Sequence, residues 1–262
     1  YSNLGNILRG LGKLKEAEIA LIKADQLNPK SAKIKLNLGI LEYVIGNIDS
    51  SLQTLELANE IDPNERSVKN LLAILKGRKA NKYKNKKIEN MIYSLFEVNS
   101  NWNPVILNRE VEEDLIRKLY TIKTKKANAR DRYQPPIFGN TKGSNYDLFE
   151  SNIPIIKSFK KDILNIVSDY FRSDLYVTDS FFNIICPMNG IGGGNKIHSH
   201  INNIEKIPEL GIYKQKLSLV YYLSIGDQSC GEPGILCFHQ PDKNILPKKG
   251  MIVIFPASRL HS

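Results

Sequence analysis

Through the first third of the chain, apolar residues recur every three or four positions, and this spacing predicts a run of amphipathic helices. After about Tyr93 the pattern changes. "IYSLFEVN" carries strand-forming residues, and "REVEEDLIRKLYTIK" then sets Val111, Leu115, Ile116 and Leu119 at helical spacing. A polar loop bearing Pro and Gly covers about 127–146, and residues 153–171 predict a second amphipathic helix. Pro154 stands near its start, with Ile156, Phe159, Ile163, Ile166, Val167 and Tyr170 on one face. Beyond it the periodicity shortens to that of strands: "DSFFNIIC", "KIHSHIN", "KLSLVYYLSI", "GILCFHQ" and "GMIVIFP", separated by Gly, Pro, Asn and Asp. The expected fold class is α+β, with helical hairpins over residues 1–93 and a sandwich or jelly-roll domain with flanking helices over 94–262. The chain opens at Tyr1 inside a helical pattern and stops at Ser262 without a natural ending, so it reads as a fragment.

The helical third repeats itself. "NLGNILRGLGKLKEAEIALIKADQLNP" and "NLGILEYVIGNIDSSLQTLELANEIDP" align without a gap at a 34-residue period. Leu4 pairs with Leu38, Gly5 with Gly39, Gly12 with Gly46, Leu21 with Leu55, Ala24 with Ala58 and Pro29 with Pro63. Small residues at Gly5 and Gly39 let two helices approach, and the prolines follow the second helix of each hairpin, where a helix does not easily continue. Ser51 stands in place of Ala17, and "SVKNLLAILKG" begins a third copy that fits a capping helix. This pattern resembles the tetratricopeptide repeat, which implies docking of a protein or peptide. Asn3 and Asn37 are candidates for the concave face; the plainer alternative is that they pack and cap.

Composition narrows the choices. A hydrophobic content of 42% with 24% charged residues is that of an ordinary globular chain, and no apolar run reaches membrane-spanning length. Three cysteines, Cys186, Cys230 and Cys237, form no CxxC pair and no even disulfide framework, which fits reduced thiols in a cytoplasmic setting. The net charge of +10 is spread along the chain, with 16 Lys/Arg against 10 Asp/Glu over residues 1–93 and 21 against 17 afterwards. The densest runs, "KGRKANKYKNKK" and "KTKKANARDR", are accompanied by no nucleic-acid motif, so solvated helix faces or an acidic peptide partner account for them better than nucleic acid. The glycines of "NGIGGGNK" are followed by no GK[ST], which argues against a phosphate loop.

The chain has only four histidines, and two of them, His198 and His200, stand one residue apart after those glycines. On an extended strand, positions i and i+2 share a face, so both imidazoles would aim at one point, as a metal ion requires. A third ligand is then needed. His261 follows the buried run "MIVIF" and a proline turn, whereas His239, in "CFHQPD", fits a surface or structural histidine better.

The order H-x-H, "LSLVYYL", "GEPGILCFHQP", P-x-x-G-x-x-x-x-FP and a closing histidine resembles the Fe(II)- and 2-oxoglutarate-dependent oxygenases. The likeness is closest to oxygenase domains found behind tetratricopeptide repeats, and it extends more distantly to the prolyl hydroxylases. It covers about residue 94 onward. The resemblance implies iron held by His198, His200 and His261, with 2-oxoglutarate and O2 as co-substrates. The family's middle ligand is usually an Asp in an H-x-D pair, and here it falls on His200. A nearby carboxylate, Glu205 or Asp227, is the rival third ligand, with His200 then orienting it. The resemblance also implies that Tyr222, with Ser218 on the same strand face, binds 2-oxoglutarate. The cationic residue that usually pairs with its distal carboxylate falls beyond Ser262, and Arg259 is not assigned that role. The implied activity is hydroxylation of an unknown substrate, with a polypeptide as the candidate that the repeats suggest. Two other readings stay open. A cupin-like dioxygenase is suggested by Gly192, His198, His200 and Glu205 in a G-x5-H-x-H-x4-E pattern, and the other is a repeat-based interaction protein whose oxygenase fold has lost its metal.

Overall fold

The structure is a computed structural model, and it describes residues 1–80, 95–97, 101–126, 142–173, 175–185, 197–227, 229 and 234–262. The lysine run past residue 80, most of the loop at 127–146, the glycines of "NGIGGGNK", and Cys186 and Cys230 lie outside the described residues. The chain divides into two compact units, Tyr1–Asn85 with Asn203–Ile212, and Lys86–Asn202 with Tyr213–Ser262. Nothing in the residue pattern points to the assignment of 203–212 to the first unit.

Among the described residues of the first unit, five α-helices follow in order: α1 (Ser2–Gly10), α2 (Leu14–Leu27), α3 (Ala32–Ile45), α4 (Ile48–Ile61) and α5 (Arg66–Ala80). The equivalence of the hairpins has a steric basis. A Cβ on Gly5 would lie 2.5 Å from Leu21 Cγ, and one on Gly39 would lie 2.9 Å from Leu55 Cγ, so only glycine lets the paired helices close. Ser51 uses the same tight contact differently from Ala17: its hydroxyl donates to the Gly39 carbonyl at 2.7 Å and is fully buried. Ser31 caps α3 by accepting from the Ile34 amide. Asn37 donates to the Ser2 hydroxyl at 3.0 Å and ties α3 to α1, whereas Asn3 is exposed. Asn37 therefore acts as a packing residue.

Residues 203–212 join this unit as an apolar insert. Two successive turns, with Ile207 N bonded to Ile204 O and Leu210 N to Ile207 O, lead into a 3-10 turn at Pro208–Leu210. Leu210 and Ile212 are 1% and 2% exposed, and with Ile204 and Ile207 they share one cluster with Leu36, Ile40, Tyr43, Val44, Leu71 and Leu75.

The second unit is α+β with small sheets. A three-stranded antiparallel sheet has the order β1 (Val105–Asn108), β8 (Met251–Pro256), β5 (Leu217–Tyr221). Two smaller pieces accompany it: the two-residue strands β2 (Lys125–Lys126), β3 (Lys142–Gly143) and β4 (Asn183–Ile184), and the hairpin-like pair β6 (Leu236–Phe238) and β7 (Lys243–Ile245). Helices α6 (Glu113–Thr121) and α7 (Pro154–Phe171) supply the helical layer.

Strand β8 is buried along its whole length, which explains its uninterrupted apolar sequence. Ile252 and Ile254 face a core built with Leu115, Leu119 and the α7 residues Ile156, Phe159, Ile163, Val167 and Phe171. Met251, Val253 and Phe255 face the other way, into a core with Trp102, Leu236, Phe238 and Ile245. Each fully buried large side chain contributes about 1.5–3 kcal/mol.

Several expectations shift. The buried end of α7 is Phe171, with Tyr170 44% exposed, because position 171 continues the i, i+4 stripe from Val167. Leu95 and Phe96, within a run read as strand, are helical. The strand β1 is missed by the periodicity, since four residues with a single buried face carry too little pattern. The run "KIHSHIN" contributes an isolated bridge at His198 in place of a full strand.

Candidate metal centre

The final residues, 260–262, lie between two other segments. Cys237 and Ser262 exchange both backbone hydrogen bonds, His239 N donates to Leu260 O at 3.0 Å, and His261 and His198 exchange a pair at 2.9 and 3.0 Å. His261 is thereby bridged to His198 on one side and to Phe238 on the other. The His200 amide, donating to Ala257 O at 2.8 Å, fixes the second histidine of the pair against the turn after β8. Backbone pairing, rather than a continuous strand, is what brings the early pair and the closing histidine together.

The three rings meet. Centroid separations are 4.9 Å for His198–His200, 4.3 Å for His198–His261 and 5.0 Å for His200–His261. One ring nitrogen from each lies within 4.8 Å of the others, and these three form the one such donor group found among the described residues. Three nitrogens sharing an ion at ~2.1 Å would stand roughly 3 Å apart, closer than the 4.8 Å within which these lie. Phe255 and Phe238 wall the cluster, with ring centroids 4.7 and 6.3 Å from that of His261.

The donor chemistry fits a cation. His261 Nδ1 lies 2.9 Å from the Arg259 carbonyl, which can only accept; Nδ1 therefore carries the proton in the neutral ring and Nε2 is left with its lone pair. Burial pushes His200 down to about 4, helped by the neighbouring His261, His198 and Lys216 against an opposing pull from Asp179. Burial likewise lowers His261 to about 4, against the raising effect of its bond to Arg259 O. Both rings are neutral near pH 7 and available to a metal.

These shifts set a pH dependence. Above the ordinary histidine value of 6.5, His200 and His261 are neutral in folded and unfolded chain alike. Below it the unfolded state takes up protons that the folded state refuses until about 4. The metal-free chain is therefore expected to lose stability as pH falls from 6.5 towards 4. Urea midpoints followed through Trp102 fluorescence check this, and a His200→Gln/His261→Gln double variant is expected to flatten the slope.

The remaining candidates separate clearly. Tyr222 and Val220 pack on the Phe255 side of β5, the side of His261, and burial lifts the Tyr222 phenol to about 12. Ser218 is registered opposite Phe255 and shares that face by strand alternation. Tyr221 points the other way, stacks on Phe159 and bonds Arg109. His239 stands outside the donor group, with Nε2 3.2 Å from the Ser262 hydroxyl. Neither rival carboxylate belongs to the cluster: Glu205 is buried within the first unit, and Asp227 is exposed and accepts from the Ser229 hydroxyl and amide.

The residue pattern did not single out the support behind His261. Arg259 is 6% exposed, lies with its guanidinium 4.2 Å from the Trp102 ring centroid, and donates to Gln240 O at 2.6 Å and Glu97 O at 3.3 Å. It thus holds in place the carbonyl that sets the His261 tautomer. A lone Trp and an Arg two residues before the histidine were the available signal.

Comparison with curated proteins finds no match to the chain. Residues 8–75 match the tetratricopeptide repeat family, which covers α2 to α4 and most of α5, and so the N-terminal hairpins are tetratricopeptide-like repeats.

Proposed function

We propose that the second unit is an Fe(II)- and 2-oxoglutarate-dependent oxygenase domain of the jelly-roll type, which hydroxylates an unactivated C–H bond. The observation that carries this reading is the convergence of His198, His200 and His261 from an H-x-H pair and a distant closing position. Iron, when bound, would activate O2, the oxidant: O2 and 2-oxoglutarate would be consumed, one oxygen atom entering the substrate and the other leaving in succinate, with CO2 released. His261 presents Nε2 because its Nδ1 proton is held by Arg259 O. His198 and His200 complete the set of ligands. The three imidazoles bring no negative charge, so an anionic co-substrate is the natural partner for a divalent ion here. Tyr222 and Ser218 offer hydroxyls for its carboxylate, and Phe238 and Phe255 keep water from one side of the site.

The tetratricopeptide match over 8–75 supports a docking role for the first unit, and with it a polypeptide substrate. We place the protein in the cytoplasm, in keeping with Cys237 as a free thiol and with no described helix long and apolar enough to cross a membrane. The same match also favours a second reading, a repeat-based interaction protein. Full-length protein purified without oxygen separates the possibilities. About one iron per chain with 2-oxoglutarate-dependent succinate formation is the expected result. Bound iron with turnover indifferent to 2-oxoglutarate indicates a cupin-like dioxygenase, and a chain that takes up no iron leaves only the interaction protein.

A further inference from the structure

The insert 203–212, "NIEKIPELGI", occupies the repeats as a ligand would. The 34-residue period makes Ile40 and Ile74 equivalent, and likewise Val44 and Arg78, so these residues form one stripe along the first helices of successive repeats. Ile204, Ile207, Leu210 and Ile212 lie in one apolar cluster with that stripe. The polar contacts are also those of a bound peptide. Arg78 donates to the Leu210 carbonyl at 2.5 Å while holding the Tyr43 hydroxyl at 2.9 Å, and Glu209 acts electrostatically on the buried Arg9. The close of the insert, Gly211 at φ +61, brings its backbone to Arg78, where a Cβ would stand 3.9 Å from the guanidinium.

We propose that this segment is an internal strap that keeps the repeat groove closed to partners and tethers the histidine pair. Its occupant chemistry defines the competitor: a peptide with Ile, Pro and Leu spaced as in "IPEL" and an acidic residue beside the leucine. Because the strap is part of the chain, its effective concentration at the groove is on the order of millimolar, so a free peptide of equal intrinsic affinity competes poorly. Only Ile201 and Asn202 separate the strap from His200. Displacing the strap therefore frees the chain on one side of the pair, leaving the bridges to His261 and Ala257 to hold it. A partner that takes the groove thereby loosens the His198–His200 loop.

The test uses the full chain and a fluorescent synthetic peptide of residues 203–212. The peptide is expected to bind the Leu210→Asp chain at least about tenfold more tightly than the wild type, because the groove is vacated. Amide exchange over 197–202 is expected to speed up in the same variant. Ile207→Ala, a milder change to the strap, gives an intermediate value for both and serves if Leu210→Asp loses repeat helicity. Equal binding to wild type and both variants would mean that the groove is open, and no binding to any of them that the face is not a peptide site; either result overturns the proposal. Unchanged exchange at 197–202 would overturn the tether. Neither readout needs metal, so a chain that proves unable to bind iron sinks the oxygenase reading and leaves this one standing.

Discussion

Replacing His261 by alanine is expected to lower metal affinity by at least about a hundredfold, while His239→Ala changes it by no more than about twofold. The contrast follows from geometry. His261 supplies one of three donor nitrogens that lie within 4.8 Å of one another, is only 4% exposed, and has its coordinating tautomer fixed by the Arg259 carbonyl. Loss of an orienting partner behind a ligand typically costs 10–100-fold, and loss of the ligand itself costs more. His239 is close enough to influence His261 but is engaged with Ser262 and lies outside the donor group. Titration with Fe(II) without oxygen, or with Co(II) as a spectroscopic probe, reads the affinities directly. His198→Ala is expected to behave as His261→Ala does. Comparable losses in His261→Ala and His239→Ala would show that the metal sits elsewhere. Trp102 fluorescence separates loss of a ligand from loss of the fold, since the one tryptophan is 5% exposed within the core of the same unit.

The parts of this molecule that are legible in sequence are those in which local pattern and tertiary environment agree. The repeats declare themselves because each hairpin needs a glycine at its closest approach, at Gly5 and again at Gly39. The strand β8 is legible because both of its faces are buried, leaving a continuous apolar run between Gly250 and Pro256. The histidine cluster is legible through scarcity: four imidazoles, two of them one residue apart, leave few places for a metal. What is not legible depends on partners distant in sequence. The register of β1 is set by Val105 opposite Ile254 and Leu107 opposite Ile252, which four residues cannot announce. His198 and His200 are held by backbone bonds to His261 and Ala257, not by a strand of their own. In the strap, Ile204, Ile207, Leu210 and Ile212 fit neither a strand nor a long helix, and only the repeat surface explains their burial.

Gly250→Ala is expected to destabilise the second unit by about 3 kcal/mol or more. Two costs combine. Gly250 has φ +84, where an L residue loses roughly 1–2 kcal/mol, and a Cβ there would stand 2.6 Å from the Arg109 carbonyl oxygen. The backbone cannot retreat from that contact. Gly250 N donates to Tyr222 O at 2.8 Å, Arg109 N donates to Gly250 O at 2.9 Å, and Met251 N turns back to Lys248 O. The Arg109 side is equally fixed, since its guanidinium is paired with Glu112 and Asp162. With a urea slope of about 2–3 kcal/mol per molar, the midpoint seen through Trp102 fluorescence should fall by about 1 M or more. Gly226→Ala provides the control, because a Cβ there meets nothing within 4 Å and the midpoint should hardly move. A comparably small shift at Gly250 would mean that the turn has room to give. The position also tests how the site depends on the fold: Gly250 sets the start of β8, β8 carries Phe255 against His261, and Ala257 just beyond it bonds His200. Metal affinity is therefore expected to fall in Gly250→Ala even under conditions where the unit remains folded, because the strand that aligns two of the three imidazoles is the one displaced.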